Sequence, residues 1–148
     1  MDEAAHSAAR SALNRAPCVF EKALLSRCMG CNLAARISLA EREIVACSIT
    51  AARDDCASLL ELLRERSTFA LKLPRSGEPV RHAVTMKLQC GGLRGLQEAL
   101  GAAESDAHQL VNAARQRWGS LLNLPWAEIV RAVVAWQGRR RHGLKEQP

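Results

Sequence analysis

Five cysteines fall between Cys18 and Cys56, in the order Cys18-x9-Cys28-x2-Cys31-x15-Cys47-x8-Cys56, with Cys90 far downstream. Thiolates at such density serve as soft ligands, so the first chemistry to weigh is metal or cluster binding. The tight pair Cys28-Met29-Gly30-Cys31 can offer two sulfurs to one site, with Gly30 freeing the backbone between them. His6, His82, His108 and His142 all lie outside this window, so a local site would be all-thiolate.

Zinc sites use two close pairs more often than one, and this chain has one. The reading therefore favours a [4Fe–4S] cluster, with a zinc ion held by four cysteines as the alternative. Helix geometry narrows the ligands. Within one helix, Cys18 and Cys28 would stand about 15 Å apart along the axis, and Cys47 and Cys56 about 13 Å. The expected core set is Cys28, Cys31 and Cys47, with Cys56 or Cys18 as the fourth ligand. The competing reading is reduced core cysteine, which suits Cys28 and Cys56 on apolar stripes and, above all, Cys90. The Cys28–Cys47 spacing loosely resembles that of high-potential iron–sulfur proteins. A lone cysteine, a close pair and a basic tail resemble the WhiB-like cluster regulators. Neither pattern matches closely enough to carry any residue's role over.

No Ser/His/Asp constellation, paired acids or HExxH helix stands out, and no enzymatic role is expected. Cys90-Gly-Gly-Leu-Arg94-Gly95 matches no phosphate-binding motif and reads as a tight turn with close backbone packing.

Charge points to partners. The net charge is +6. Residues 1–74 carry ten basic and nine acidic groups, whereas residues 75–148 carry eleven and six. The excess gathers in a basic tail, 139–148, headed by Arg139, Arg140 and Arg141, which suits an acidic redox or regulatory protein; nucleic acid is the less favoured partner. No apolar stretch approaches the roughly 20 residues of a membrane span, and no membrane contact is expected. The N-terminus has neither a basic start nor an apolar run of signal-peptide type, so a cytoplasmic location is expected, where clustered cysteines serve metals more often than disulfides.

The elements that must position these sulfurs read as mainly α, a single-domain helical bundle of five or six helices with one small β-hairpin over 1–148. Residues 1–16 form a loosely held arm. Phe20, Leu24 and Cys28 repeat at helical spacing after Pro17. Ser38-Leu-Ala-Glu41 has the pattern of a capping box opening a helix with Ala40, Ile44 and Cys47 inward. Ala52, Cys56, Leu59, Leu60 and Leu63 stripe the next helix, to about Arg66. Phe69, Leu71 and Leu73, then Val84, Met86 and Leu88, alternate around the turn formers Pro74 to Pro79, which predicts the hairpin there. A short helix near Leu93–Ala103, one capped at Ser105-Asp106 and one entered at Pro125 complete the chain. Together these features describe a small metal-binding protein for electron transfer or redox and oxygen sensing. The alternative is a structural or interaction adaptor, with zinc or no metal, or a nucleic-acid-binding regulator acting through the tail.

Overall fold

The computed structural model describes residues 4, 5, 8, 16–74 and 78–138. Most of the arm at 1–16 and all of the tail at 139–148, including Arg139, Arg140 and Arg141, lie outside the described residues. The chain is mainly helical with one small antiparallel hairpin.

A short helix α1 (Glu21–Leu25) is followed by strands β1 (Ala34–Leu39) and β2 (Arg42–Cys47). Leu39 pairs with Arg42, so only Ala40 and Glu41 make the turn, both left-handed at φ 49° and 71°. Two left-handed central residues give the turn whose twist matches paired strands. The segment before α1 runs along the other edge of β2: Cys18 N–H donates to Val45 O at 3.0 Å, and Cys47 N–H to Ala16 O at 2.8 Å. Glu21 ties α1 to the same strand by accepting Val45 N–H at 2.7 Å.

The hairpin thus occupies 34–47, and the predicted helix opening at Ser38 is absent. The predicted hairpin at 69–73 and 84–88 is also absent. Phe69 and Leu71 end a 22-residue helix, α2 (Thr50–Leu71), stopped by left-handed Lys72 at φ 54°. Val84, Met86 and Leu88 lie in a second helical run: α3 (His82–Met86), a π-helical turn (Lys87–Gly91) and α4 (Gly92–Leu100). The chain closes with α5 (Ala107–Trp118), a 3₁₀ turn (Leu121–Asn123) and α6 (Trp126–Ala135), the last entered at Pro125 as expected.

Phe20 and Leu24 of the α1 region meet Leu59 and Leu63 of α2, Leu93 and Leu96 of α4, and Ile129 and Val133 of α6 in one buried cluster. Glycine lets the π-helical turn and α4 approach α6 closely: a Cβ on Gly91 would stand 2.8 Å from Val133 Cα, and one on Gly95 would stand 2.8 Å from Ala132 Cβ. The π-helical turn buries Gln89, whose Oε1 accepts Ala23 N–H at 3.0 Å, supplying a partner for an amide at the start of α1 that the helix itself cannot satisfy. Among the described residues no helix is long and apolar enough to cross a membrane.

Candidate functional site: a four-thiol cavity

Four cysteines line one cavity, each delivered by a different part of the chain. Cys18 sits on the edge segment beside β2, Cys31 in the loop after α1, Cys47 at the end of β2, and Cys56 in the second turn of α2. Val19, Phe20, Leu33, Ala34, Ala52 and Ala107 supply apolar walls, with Arg53 and His108 beside them. The void itself is about 20 Å3; all the space between its walls, counting the open mouth, is about 360 Å3.

The helix-length argument that set Cys18 against Cys56 fails here because the helices it assumed are absent. Cys18 precedes α1 on an extended segment, and Cys47 lies in a strand rather than on a helix face. Extended chain and hairpin return Cys18 and Cys47 to the same end of β2, and α2 starts immediately beyond it. Cys56 then lies close by.

Cys31 is placed by a contact no local pattern announces. Gly30 N–H donates to Ser105 O at 2.9 Å, and Ala107 N–H donates back to Gly30 O at 2.8 Å. Asn32 N–H adds a 2.7 Å bond to Asp106, whose other carboxylate oxygen caps α5 by accepting Gln109 N–H at 3.0 Å. The loop therefore lies against the amino end of α5, where the backbone amide of His108 favours the Cys31 thiolate.

Cys28 goes elsewhere. Left-handed Arg27, at φ 67°, turns the chain after α1, and Cys28 is disulfide-bonded to Cys90 in the π-helical turn with a Cα–Cα separation of 6.0 Å. Cys18, Cys31, Cys47 and Cys56 are free. Of the five cysteines proposed as ligands, the structure brings these four together and directs Cys28 away, although Cys28 is the nearest to Cys31 in sequence. Cys90, read as a core residue, is fully buried and is also half of this disulfide.

Burial works against the thiolate form at Cys18, Cys31 and Cys56. Burial pushes Cys56 up to about 12 and Cys18 up to about 11; Cys31 and Cys47 raise both further, Cys18 also raises Cys56, and an N–H from Phe20 opposes the rise at Cys18. Burial raises Cys31 as well, against N–H groups of Leu33 and His108 that favour its thiolate. Cys47 donates its thiol to Ile49 O at 3.2 Å. Among the described residues, no three Cys, His, Asp or Glu side chains are gathered tightly enough to hold a single metal ion as they stand.

No family model, curated protein or solved structure matches the chain.

What the arrangement can do follows from its donors. Four soft sulfurs lining a largely apolar chamber are the type of donor set that thiophilic cations and clusters take. Sequence reasoning misses His108 and Arg53 as cavity neighbours. His108 lies far from the cysteine window along the chain, and the Gly30–Asp106 bridge that brings it back is a long-range pairing with no local signature.

Proposed function

We propose that the chain is a small iron–sulfur protein whose [4Fe–4S] cluster is held by Cys18, Cys31, Cys47 and Cys56, serving electron transfer or redox sensing. The observation that carries this reading is the convergence of four free cysteines from four segments on one largely apolar cavity.

A zinc ion and a cluster ask for different donor spacings. Sulfurs sharing one tetrahedral zinc stand about 3.8 Å apart, given Zn–S bonds of about 2.3 Å. In a cubane each thiolate binds a different iron, so its four sulfurs stand farther apart. The amides of Phe20, Leu33 and His108, directed at Cys18 and Cys31, are the kind of donors that set a cluster's potential. An acidic redox partner docking through Arg139, Arg140 and Arg141 completes the proposal.

Purification without oxygen, followed by iron, sulfide and zinc analysis and a visible spectrum, tests it. The expected product is brown, with about four irons and four sulfides per chain. A colourless protein that takes up no iron during anaerobic reconstitution would overturn it, and one equivalent of tightly held zinc would establish the zinc alternative.

A further inference from the structure

Cys28 and Cys90 differ in a way that matters for exchange chemistry. Cys90 is fully buried, whereas Cys28 is half-buried and lines an open cleft of about 610 Å3 between α1, the π-helical run and the end of α6. Attack on a disulfide depends on which sulfur an incoming thiolate can reach. Here only the Cys28 side is presented to solvent.

The cleft is cationic. Arg27, Lys87 and Arg94 line it with Cys28, and an adjoining cleft of about 340 Å3 shares Arg27, Cys28 and Arg94, together with Arg36, whose charge is paired with Glu43 at 3.1 Å. No acidic side chain lines either cleft among the described residues. Two of these cations are held in place: Lys87 Nζ donates to Val134 O at 3.0 Å and Trp136 O at 2.7 Å, and Arg94 Nε donates to the carbonyl of Cys28 itself at 3.0 Å. A cleft lined by one sign of charge concentrates ligands of the other.

We propose that Cys28–Cys90 is an exchangeable disulfide that reacts with a small anionic thiol captured in this cleft. The small thiolate attacks Cys28 Sγ and forms a mixed disulfide there, while the Cys28–Cys90 bond breaks and Cys90 leaves as a thiolate that takes up a proton. Ser26 Oγ, which donates to Ala23 O at 3.1 Å, lies 3.6 Å from Cys90 Sγ, near enough to turn its hydroxyl to that leaving group. A second small thiolate then attacks the outer sulfur of the mixed disulfide, releasing Cys28 as a thiolate and the small molecule as its own disulfide. One protein disulfide and two thiols thus become one protein dithiol and one small disulfide, and the reverse sequence oxidises the protein. The proposal is independent of the four-thiol cavity, which Cys28 does not line.

The test uses the full chain with glutathione as the anionic probe and 2-mercaptoethanol as the uncharged one, with alkylation and peptide mapping of each cysteine. The rate of opening by glutathione relative to 2-mercaptoethanol, corrected for thiolate fraction, should fall about tenfold from low to high salt as the cationic cleft is screened. Arg27→Gln combined with Arg94→Gln should lower the same ratio at low salt. In Cys90→Ser and Cys28→Ser the probe is glutathione disulfide, whose S–S bond breaks as the protein thiolate attacks it and one glutathione leaves; in Cys90→Ser the adduct should map to Cys28. A ratio that salt leaves unchanged in the unmodified protein, or an adduct that forms at Cys90 in Cys28→Ser but not at Cys28 in Cys90→Ser, would overturn the proposal.

Discussion

Asn32 donates its backbone amide to Asp106 at 2.7 Å, joining the loop that carries Cys31 to the amino end of α5. The same carboxylate caps α5 through Gln109 N–H. One side chain therefore performs a local task and a long-range one. Asp106→Ala should cost about 1–2 kcal/mol, the usual value of a lost cap with an added unpaired amide, measured by urea unfolding. Asp106→Asn should retain most of that stability while removing a negative charge that raises the Cys31 thiol, so Cys31 should alkylate faster in this variant.

Single serine substitutions separate the four-thiol cavity from the disulfide. Cys31→Ser, Cys47→Ser, Cys56→Ser and Cys18→Ser should each lower iron and sulfide retention after anaerobic reconstitution, whereas Cys28→Ser should leave it near the unmodified level. Loss of iron in Cys28→Ser equal to that in Cys31→Ser would show that the close pair is the ligand unit after all.

Alkali should destabilise the metal-free protein. Cys18 and Cys56 hold their protons to about 11 and about 12, against an ordinary thiol value of 9.0, because burial penalises the thiolate. Between these limits the folded state binds more protons than the unfolded chain, so the slope of stability with pH is negative. The contribution is fully present below about pH 9 and is lost as pH rises through the folded values. Thermal unfolding of the metal-free protein from pH 8 to 12 should show this decline, and it should be shallower in Cys18→Ser or Cys56→Ser.

The contact of the π-helical turn and α4 with α6 and Trp136 predicts a core effect. In Gly91→Ala the new methyl meets Val133 Cα at 2.8 Å and Trp136 Cβ at 2.9 Å, so backbone has to move, at about 1–3 kcal/mol in chemical denaturation. Gly92→Ala should cost less. Its nearest neighbour is the end of the Leu63 side chain, 2.6 Å away, which can turn aside.

Helical content was legible from periodicity; a single hairpin was expected and one is present, but at 34–47, where neither the alternation nor the turn formers pointed. Apolar alternation at Phe69, Leu71 and Leu73 has the look of a strand, yet Phe69 is 94 % exposed at a helix end, where alternation records no buried face. The true turn, Ala40-Glu41, adopts left-handed geometry without glycine or asparagine, and Ser38 and Glu41 imitate a helix start at the same place. α6 was readable because Pro125 and the buried Trp126, Ile129 and Val133 agree with one another. For the candidate site, clustering of cysteines was a usable signal, but adjacency in sequence was misleading. Cys28 and Cys31 are three positions apart, and a single left-handed residue, Arg27, is enough to send the first towards α3 and α4.

All four sulfurs of the cavity belong to the first 56 residues, while most of the buried cluster belongs to α2 and the helices that follow. An occupant bound to those sulfurs would close three short loops between Cys18 and Cys56, stapling the hairpin and its edge segment to α2. Unfolded chain entropy lost in closing such loops is stability gained by the native state. Demetallation would then loosen the amino-terminal third while the α4–α6 packing stayed intact, making the occupancy of this one cavity a matter of fold maintenance as well as chemistry.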